Sequence, residues 1–590
     1  MLPRLRTTQA SRSTVDVFGG YNHNARISDG EWWDMKNMTS ALYPLASPRH
    51  KRGTFAKGNS INGIVVNGGL CYLNGSRFVL PNGDHRDLAL DTGKKTMVTM
   101  GAYVIILPDK KWINVAKCME EGEHDPSEEY GNIEAEFSGD VLVTACLANG
   151  DIDTGYINPG KPTGPDDWQP EDGTRYVDKS VWPPVVKKWY SEAAMWVEEK
   201  TYIRIKGDAG FEPWDSISKG DTITAPAFND NGDVVSIYIP ENPMILEKKD
   251  GFVVMEGFCT GADKHIMYEF SRKMPDMDFI IESGNRLWGC KYGNTEDGFI
   301  NEIYASKLGD FKNWHSFQGV STDSYAATIG AGGEFTGAVN YGGKPYFFKA
   351  DHMIEVLGSF PAEYQVQTTP CRGVQKGCER SLAVVSNTLF YKTDGGVCGF
   401  DGSLPTIISS QLGDVAYHSA IAGGVNDKYF ISMKDYEDGT HLFVYDARKG
   451  VWHKEDDFYP EAFAAYGTEL YAVQGNRIVT MLGSGQTDTE AVEWMLQTGE
   501  IGLAMPDAKY VTRLTVRMSM SEGSCVSVWV RYDYGDEWVH IYTTPGTILR
   551  SFDIPIRPKR CDHMSIRIEG VGEAKIYSIT KTIEQGSDRV

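Results

Sequence analysis

The stretch Gly337-Ala-Val-Asn-Tyr-Gly-Gly-Lys-Pro-Tyr-Phe-Phe348 joins a short apolar segment to an aromatic one through a Gly-Gly turn. Glycine supplies the positive φ that a tight hairpin requires, so the stretch predicts two antiparallel strands. The same pattern begins again at residues 63, 97, 279, 382, 421 and 463, and the last four copies start 45, 39 and 42 residues apart. A period of about 40 to 50 residues with four strands per unit is typical of a β-propeller. A stack of unrelated hairpins that form sandwiches is the alternative.

The regular spacing is interrupted once, by the 163 residues between Val115 and Phe279. Residues 118–136 are acidic, which is typical of a solvated loop, and residues 159–184 are rich in Pro, Asp and Trp. Apolar and polar residues then alternate in four short segments, at 201–206, 221–224, 234–239 and 251–257. This part predicts a small β-barrel inserted between two blades.

The two ends of the chain differ from the repeating part. The first 60 residues contain the pair Trp32-Trp33, and Pro44 and Pro48 favour extended backbone there. Beyond about residue 487 the strands become longer and alternate strictly, which predicts a sandwich with one face of each sheet buried.

The predicted fold is therefore all-β: a β-propeller with an inserted small β-barrel and a C-terminal β-sandwich. The predicted segments are an extended N-terminal arm (1–60), the first propeller blades (61–117), the insertion (118–275), the remaining blades (276–486) and the sandwich (487–590).

Composition limits the function classes. The chain carries 80 acidic and 58 basic side chains, a formal net charge of −22, which argues against a protein that grips nucleic acid across its whole surface. A small basic patch is compatible with that charge. The N-terminus predicts no signal peptide, and apolar runs such as residues 102–107 are too short to span a bilayer. Ten scattered cysteines predict reduced thiols made in a cytoplasm.

Motifs with a known chemistry are missing from the sequence. It contains no HExxH, Walker A, GxSxG or complete GxGxxG motif. Asp151-Ile-Asp-Thr-Gly155 resembles the first half of a calcium loop but is not followed by the required glutamate. The sequence thus predicts no catalytic residue, no cofactor site and no metal site, and it predicts that the chain is not an enzyme. Propeller glycosidases need paired carboxylates across a pocket, and the arginine cluster that a sialidase would need to bind a carboxylate cannot be identified from the sequence.

Three stretches resemble proteins of tailed bacteriophages and prophages of Gram-positive hosts. They are residues 30–52, with Asn37-Met-Thr-Ser40; residues 284–314, with Gly284-Asn-Arg-Leu-Trp-Gly-Cys290; and residues 371–402, with Asp394-Gly-Gly-Val-Cys-Gly-Phe-Asp-Gly402. In layout the chain resembles the tail nozzle or tail hub proteins of short-tailed phages, also called packaged-DNA stabilisation proteins. The resemblance follows the order of elements over residues 25–60 and 276–590, and the insertion departs from it.

This resemblance implies a structural protein of the virion tail, made in the host cytoplasm. Family members form a homo-oligomeric ring, a hexamer, below the portal and adaptor and next to other tail proteins. Genomic double-stranded DNA passes through the lumen during ejection without sequence-specific binding, and a lumen lined by carboxylates would let it slide. We expect Trp32-Trp33 to pack on a neighbouring surface, either of the same chain or of another subunit. The resemblance implies that the arm, with Arg49, Lys51 and Arg52, docks on an adjoining subunit.

One alternative of a different class is a receptor- or glycan-binding tail protein. In that interpretation Trp182, Trp189, Trp196 and Trp214 stack on sugars, whereas the plainer interpretation places them in a core. A glycan-cleaving propeller is the other alternative.

Overall fold

The computed structural model describes residues 10–122, 125–166, 168–208, 213–214, 217–230, 235–249, 251–261, 263–295, 298–487, 490–503, 509–533, 535, 537–546 and 548–585. The first nine residues of the predicted arm, and Val234 at the start of one predicted strand, lie outside these ranges. Within them the regular structure is almost entirely β-strand, so the all-β prediction is confirmed.

The N-terminal segment contributes strands to sheets that are built by distant parts of the chain. These strands are β1 (Ala10–Val15), β2 (Gly20–Tyr21), β3 (Glu31–Lys36) and β6 (Gly53–Lys57), whereas β4 (Met38–Thr39) and β5 (Ser47–Pro48) pair with each other in a two-stranded sheet.

Two four-stranded blades follow. Their strands are β7 (Ile61–Val66), β8 (Leu70–Asn74), β9 (Arg77–Val79) and β10 (His85–Asp87), then β11 (Thr96–Met100), β12 (Tyr103–Leu107), β13 (Lys111–Asn114) and β14 (Tyr130–Asn132). Two one-turn helices, α1 (Val115–Cys118) and α2 (Pro126–Glu129), lie between the last two strands. The second blade therefore extends beyond the predicted boundary at residue 117 and takes in part of the acidic stretch.

The insertion holds three sheets. Its strands are β15 (Ala135–Cys146), β16 (Ile157–Asn158), β17 (Arg175–Asp178), β18 (Val185–Tyr190), β19 (Met195–Glu199), β20 (Tyr202–Gly207), β21 (Phe228–Asn229), β22 (Ile237–Ile239), β23 (Glu247–Lys249), β24 (Phe252–Glu256), β25 (Phe258–Cys259) and β26 (Lys264–Arg272). A five-stranded sheet (β23-β24-β20-β15-β26) and a three-stranded sheet (β21-β22-β25) share one buried core. In the third sheet, β16-β17-β18-β19, strand β17 lies within the Pro-, Asp- and Trp-rich residues 159–184, whose composition is typical of a loop.

Five more blades complete the propeller. Their strands are β27 (Phe279–Ser283), β28 (Arg286–Thr295), β29 (Gly298–Ala305), β30 (Tyr325–Thr328), β31 (Phe335–Tyr341), β32 (Lys344–Lys349), β33 (His352–Leu357), β34 (Gln365–Pro370), β35 (Ala383–Val385), β36 (Thr388–Thr393), β37 (Gly396–Phe400), β38 (Thr406–Ile407), β39 (Tyr417–Val425), β40 (Lys428–Asp435), β41 (Thr440–Asp446), β42 (Val451–Lys454), β43 (Ala462–Tyr466), β44 (Glu469–Gln474) and β45 (Arg477–Thr480). Short 3₁₀ turns lie at Pro361–Glu363, Glu379–Ser381 and Ser410–Leu412.

The seven repeated stretches of the sequence each supply the innermost hairpin of one blade. The innermost strand of blade 7, β43, lies beside β7 of blade 1, which closes the ring. Glycines on these strands permit the close approach: a Cβ added at Gly423 would lie 2.6 Å from the Cβ of Phe463 on the next blade. The seventh blade receives its next strand from the other end of the chain, because β45 pairs with β6 between Arg477↔Lys57 and Thr480↔Gly53.

The C-terminal part forms a sandwich of two sheets. After β46 (Gln486–Thr487), which pairs with β6, its strands are β47 (Glu493–Thr498), β48 (Lys509–Met520), β49 (Cys525–Tyr532), β50 (Val539–Pro545), β51 (Arg550–Ile554), β52 (Met564–Val571) and β53 (Ala574–Gln585). One sheet has the order β1-β53-β48-β51 and the other β2-β3-β47-β52-β49-β50.

The N-terminal segment thus differs from the extended arm that the sequence predicts. Strand β1 pairs with β53, and β3 pairs with β47, so both are integral strands of the sandwich. Trp32 is only 2% exposed and stacks on Phe18 with ring centroids 5.5 Å apart. Trp33 packs on the ring of His23 at 4.2 Å. Strands β53 and β47 of the two C-terminal sheets supply backbone hydrogen-bond partners for β1 and β3 within the same chain.

Candidate functional site

A cavity of about 520 Å³ lies on the propeller axis, and all seven blades contribute residues to it. We call it the axial cavity. Its volume is typical of small-molecule pockets, which occupy about 300 to 1,000 Å³. Apolar side chains line much of the wall, among them Met97, Phe279, Leu382 and Phe463.

Charged residues of both signs also line the axial cavity. The basic residues are Lys94, Lys95 and Arg380, and the acidic residues are Asp278, Glu379 and Glu461. The Lys95 Nζ lies 2.6 Å from Oδ2 of Asp109, and both side chains are almost fully buried. Burial alone would raise the pKa of Asp109, but the Lys95 ammonium and the Asp91 amide hold that pKa below its usual value. Lys95 is therefore held in a structural ion pair.

Two of the three carboxylates in the axial cavity are available for a ligand. Asp278 already accepts hydrogen bonds from Lys291 Nζ and from the Tyr292 amide, both at 2.9 Å. Glu379 and Glu461 are half-buried and form no ion pair within the described part of the chain. Arg380 lies with them, because one of its guanidinium nitrogens donates to the Glu461 carbonyl at 2.6 Å. Two carboxylates beside a guanidinium can hydrogen-bond sugar hydroxyls, and a carboxylate pair is what glycoside hydrolysis requires.

Sequence reasoning did not select Glu379 or Glu461, because an isolated acidic residue is usually a solvated side chain. A positional signal was present: each residue comes just before the innermost strand of its blade, at blades 5 and 7. Equivalent positions in a propeller converge on the axis, so acidic residues there are candidates for the cavity wall.

A second cavity, of about 850 Å³, lies where the N-terminal segment, blade 7 and β47 meet. We call it the junction cavity. Its wall contains Arg52, whose guanidinium donates to Asp456 at 2.7 Å and to Glu455 at 2.8 Å, and lies 4.4 Å from the ring of Phe458. Arg49 donates to Asn37 at 2.8 Å beside them. Burial alone would raise the pKa of Asp456, but the two guanidinium groups lower it overall.

These contacts correct the expectation for Arg49 and Arg52, whereas Lys51 is exposed. Arg49 and Arg52 pair with carboxylates of their own chain and are largely buried, so they do not form a docking surface for an adjoining subunit. Their network instead joins the N-terminal segment to the end of blade 6. Breaking a buried pair of this kind leaves an uncompensated charge, which costs about 3 to 5 kcal/mol.

The four tryptophans proposed for sugar stacking have different environments. Trp214 is 2% exposed and stacks on Phe270 at 5.0 Å, and Trp189 is buried against Trp196 at 5.2 Å. These three side chains stabilise the insertion. Of the four, Trp182 presents its ring to solvent and is 69% exposed. Trp168, which the sequence analysis did not single out, is also exposed.

The possible calcium loop has a structural role. Asp153 accepts from Arg175 at 2.7 Å and from the Gly155 amide at 2.8 Å. In the part of the chain that the structure describes, no three His, Cys, Asp or Glu side chains come together as a metal site. No helix among the described residues has the length and apolar character needed to cross a membrane.

Several solved structures are similar to this chain at low sequence identity. An exo-β-1,3-galactanase from Phanerochaete chrysosporium is 9% identical, with a TM-score of 0.20, and the match covers 51% of this chain and 95% of that chain. An engineered glycoside hydrolase with endo-xylanase and exo-arabinofuranosidase activity is 9% identical, with a TM-score of 0.20, over 53% of this chain and 97% of that chain. PorZ, a surface component of the type-IX secretion system of Porphyromonas gingivalis, is 10% identical, with a TM-score of 0.15, over 84% of this chain and 70% of that chain.

No protein-family model and no curated protein matches the sequence. Glycoside hydrolases are among the similar structures, and the prediction that this chain is not an enzyme is therefore wrong as stated. We do not retain it.

Proposed function

We propose that this chain is a ring-forming structural protein of a phage tail, the nozzle or hub below the portal–adaptor complex. The ring would form the channel that retains and conducts genomic double-stranded DNA. The proposal rests on the sequence resemblance over residues 25–60 and 276–590. One structural observation supports it most. Strands β1 and β3 pair with strands of the sandwich and β6 pairs with β45 of blade 7, so the N-terminal segment links the two domains within one subunit.

The size of the axial cavity limits where the proposed channel could lie. A cavity of about 520 Å³ holds on the order of 17 water molecules and cannot admit a DNA duplex. A DNA channel therefore has to lie between subunits, with each propeller in its wall. This requires surfaces on the propeller, the insertion or the sandwich that bind another copy of the chain.

The sheet β16-β17-β18-β19 offers a surface of this kind. On its outer edge strand β19, Met195 is 52% exposed and Val197 is 39% exposed, and Tyr190 on β18 lies directly opposite Met195. An apolar face on an unpaired edge strand is a common site of association between chains. We call Tyr190, Met195 and Val197 the apolar edge.

Negative-stain imaging combined with mass photometry of the purified chain at micromolar concentration tests the proposal. We expect closed rings with a central pore and a mass that is a whole multiple of 65.5 kDa. If the chain remains a monomer alone and also in the presence of portal and adaptor proteins, the proposed function is wrong.

A glycan-binding tail protein is the second candidate, and the exposed rings of Trp168 and Trp182 favour it. Aromatic side chains that remain in solvent can stack on sugar faces. A glycan array with the wild-type chain and with Trp182→Ala tests this candidate: loss of glycan binding in the variant would support it. Sugar release that disappears with Glu379→Gln or Glu461→Gln would instead indicate hydrolysis in the axial cavity.

A further inference from the structure

The outer face of the six-stranded sandwich sheet carries an unusual group of arginine and tryptophan side chains. It is formed by Trp529 and Arg531 of β49, Arg567 of β52, and Trp538 just before β50. We call these four residues the basic face. The side chains of Val528 and Val530, which alternate with them on β49, point into the core.

The indole ring of Trp538 contacts both guanidinium groups of the basic face. The Cζ of Arg567 lies 4.2 Å from the centroid of the Trp538 ring, and the Cζ of Arg531 lies 4.9 Å from it. The strand register fixes the same arrangement, because Arg567 is opposite Trp529 and Arg531 is opposite Ser565. Stacking on an aromatic ring orients a planar guanidinium and reduces the entropy that it loses when it binds an anion.

Arg531 has no anionic partner among the described residues. It forms no ion pair there, and its Nε is buried without a hydrogen-bond partner within the described ranges. Arg567 is better satisfied, since it donates to Gln497 at 2.9 Å and lies 3.6 Å from a carboxylate oxygen of Glu569. Within the described ranges a fixed guanidinium thus stays unpaired in a chain whose net charge is −22, which makes Arg531 a candidate site for an external anion.

A second group of cations lies near the end of β49. Arg557, Lys559 and Arg560 are exposed in the segment before β52, and Lys559 Nζ lies 5.2 Å from the ring of Tyr532 at the end of β49. Tyr532 alternates with Arg531 along β49 and packs against the core, so this contact does not place Lys559 beside Arg531. The exposed or half-exposed carboxylates of the same region are Asp533, Glu537, Asp562 and Glu569, and Asp533 already accepts the amide of Asp562.

We propose that the basic face binds the sugar–phosphate backbone of duplex DNA without reading its sequence. Guanidinium groups bind phosphate oxygens through parallel N–H donors, and backbone contacts of this kind position DNA but do not specify bases. The choice of duplex DNA among polyanions rests on the proposed function. The inference deepens that function, because it identifies the side of the sandwich that faces the channel and places phosphate contacts in a lumen that was expected to be lined by carboxylates.

Fluorescence anisotropy of a labelled duplex of mixed sequence, titrated with the full chain between about 50 and 200 mM salt, tests the inference. We expect Arg531→Gln/Arg567→Gln to bind at least about tenfold more weakly at the lower salt concentration. Each phosphate contact contributes about 0.9 to the slope of log K against log salt, so the slope should become shallower by about two. A second duplex of unrelated sequence should bind equally well.

The opposite sheet of the same sandwich provides a matched control. Arg513 and Arg517 of β48 are exposed, and Arg513→Gln/Arg517→Gln changes the net charge by the same amount. This control should keep the wild-type affinity and salt slope. Trp538→Leu keeps both cations but removes the ring that orients them, and we expect affinity between those of the wild type and the double variant. It also serves as the test if the double variant does not fold, which circular dichroism would show.

Several outcomes would overturn the inference. These are no binding by the wild-type chain at the lowest salt concentration, equal loss of affinity in the control variant, or competition by polyglutamate as strong as by unlabelled duplex, which would indicate an acidic protein partner. Ring imaging is independent of these measurements. Rings that do not bind DNA contradict only this inference, whereas DNA binding by a persistent monomer contradicts only the proposed nozzle.

Discussion

At the scale of single residues, His453 links the stability of blade 6 to pH. Its side chain is buried in β42, and burial, assisted by the nearby Lys428 ammonium, lowers its pKa to about 3. Above the unfolded-state pKa of about 6.5 the histidine is neutral in both states, and its contribution to stability is fully present. Below that pH only the unfolded chain binds the proton, so the free energy of unfolding falls by about 1.4 kcal/mol per pH unit until about pH 3. Urea unfolding at several pH values in this range measures how the free energy of unfolding changes with pH. In His453→Gln this pH dependence should be weaker by the equivalent of about one bound proton, and His85→Gln, at an exposed site, is the control. An unchanged slope in His453→Gln would contradict this account.

At the scale of elements, the innermost strands determine how closely the blades approach. A methyl group at Gly423 of β39 would collide with Phe463 of the neighbouring blade, so Gly423→Ala should cost about 1 to 3 kcal/mol of unfolding free energy. Gly332 has no atom within 4 Å of an added Cβ and lies outside the positive-φ region. Gly332→Ala should therefore be neutral or raise stability by up to about 1 kcal/mol. Chemical denaturation of both variants measures the difference, and equal stabilities would show that the interblade contact is more adaptable than these distances indicate.

The same elements show what the sequence could predict. The seven inner hairpins were predictable because a Gly/Asn turn and its two strands are neighbours in sequence, so their pattern is local. The pairing of β6 with β45 was not, because a strand of five residues carries no signal that identifies a partner more than 400 residues away. The candidate sites follow the same rule. Glu379 and Glu461 line one cavity only because the blades close into a ring. Trp538 contacts Arg531 and Arg567 only because their strands pair in one sheet.

At the scale of the whole molecule, the apolar edge is the surface that we expect to join subunits. Met195→Lys/Val197→Lys places two charges on the edge strand β19, and charged edges block strand-to-strand association. We expect mass photometry to show dispersal of the ring into monomers. Glu198→Lys on the same strand adds positive charge but keeps Met195 and Val197, and this control should still assemble. Rings that persist in the double variant would exclude the apolar edge as the subunit contact.

The long-range closure of the propeller also has a consequence for synthesis. Strand β6 leaves the ribosome early, but β45 follows only after some 420 further residues. At about 5 to 20 residues per second this delay is roughly 20 to 80 s. During that time β6 has no partner strand, and the early blades exist as an open arc with an exposed edge. Such contacts of high sequence separation fold slowly and expose the chain to aggregation. The nascent chain therefore depends on its own completion, or on a chaperone that covers the open arc, before it can become a stable subunit.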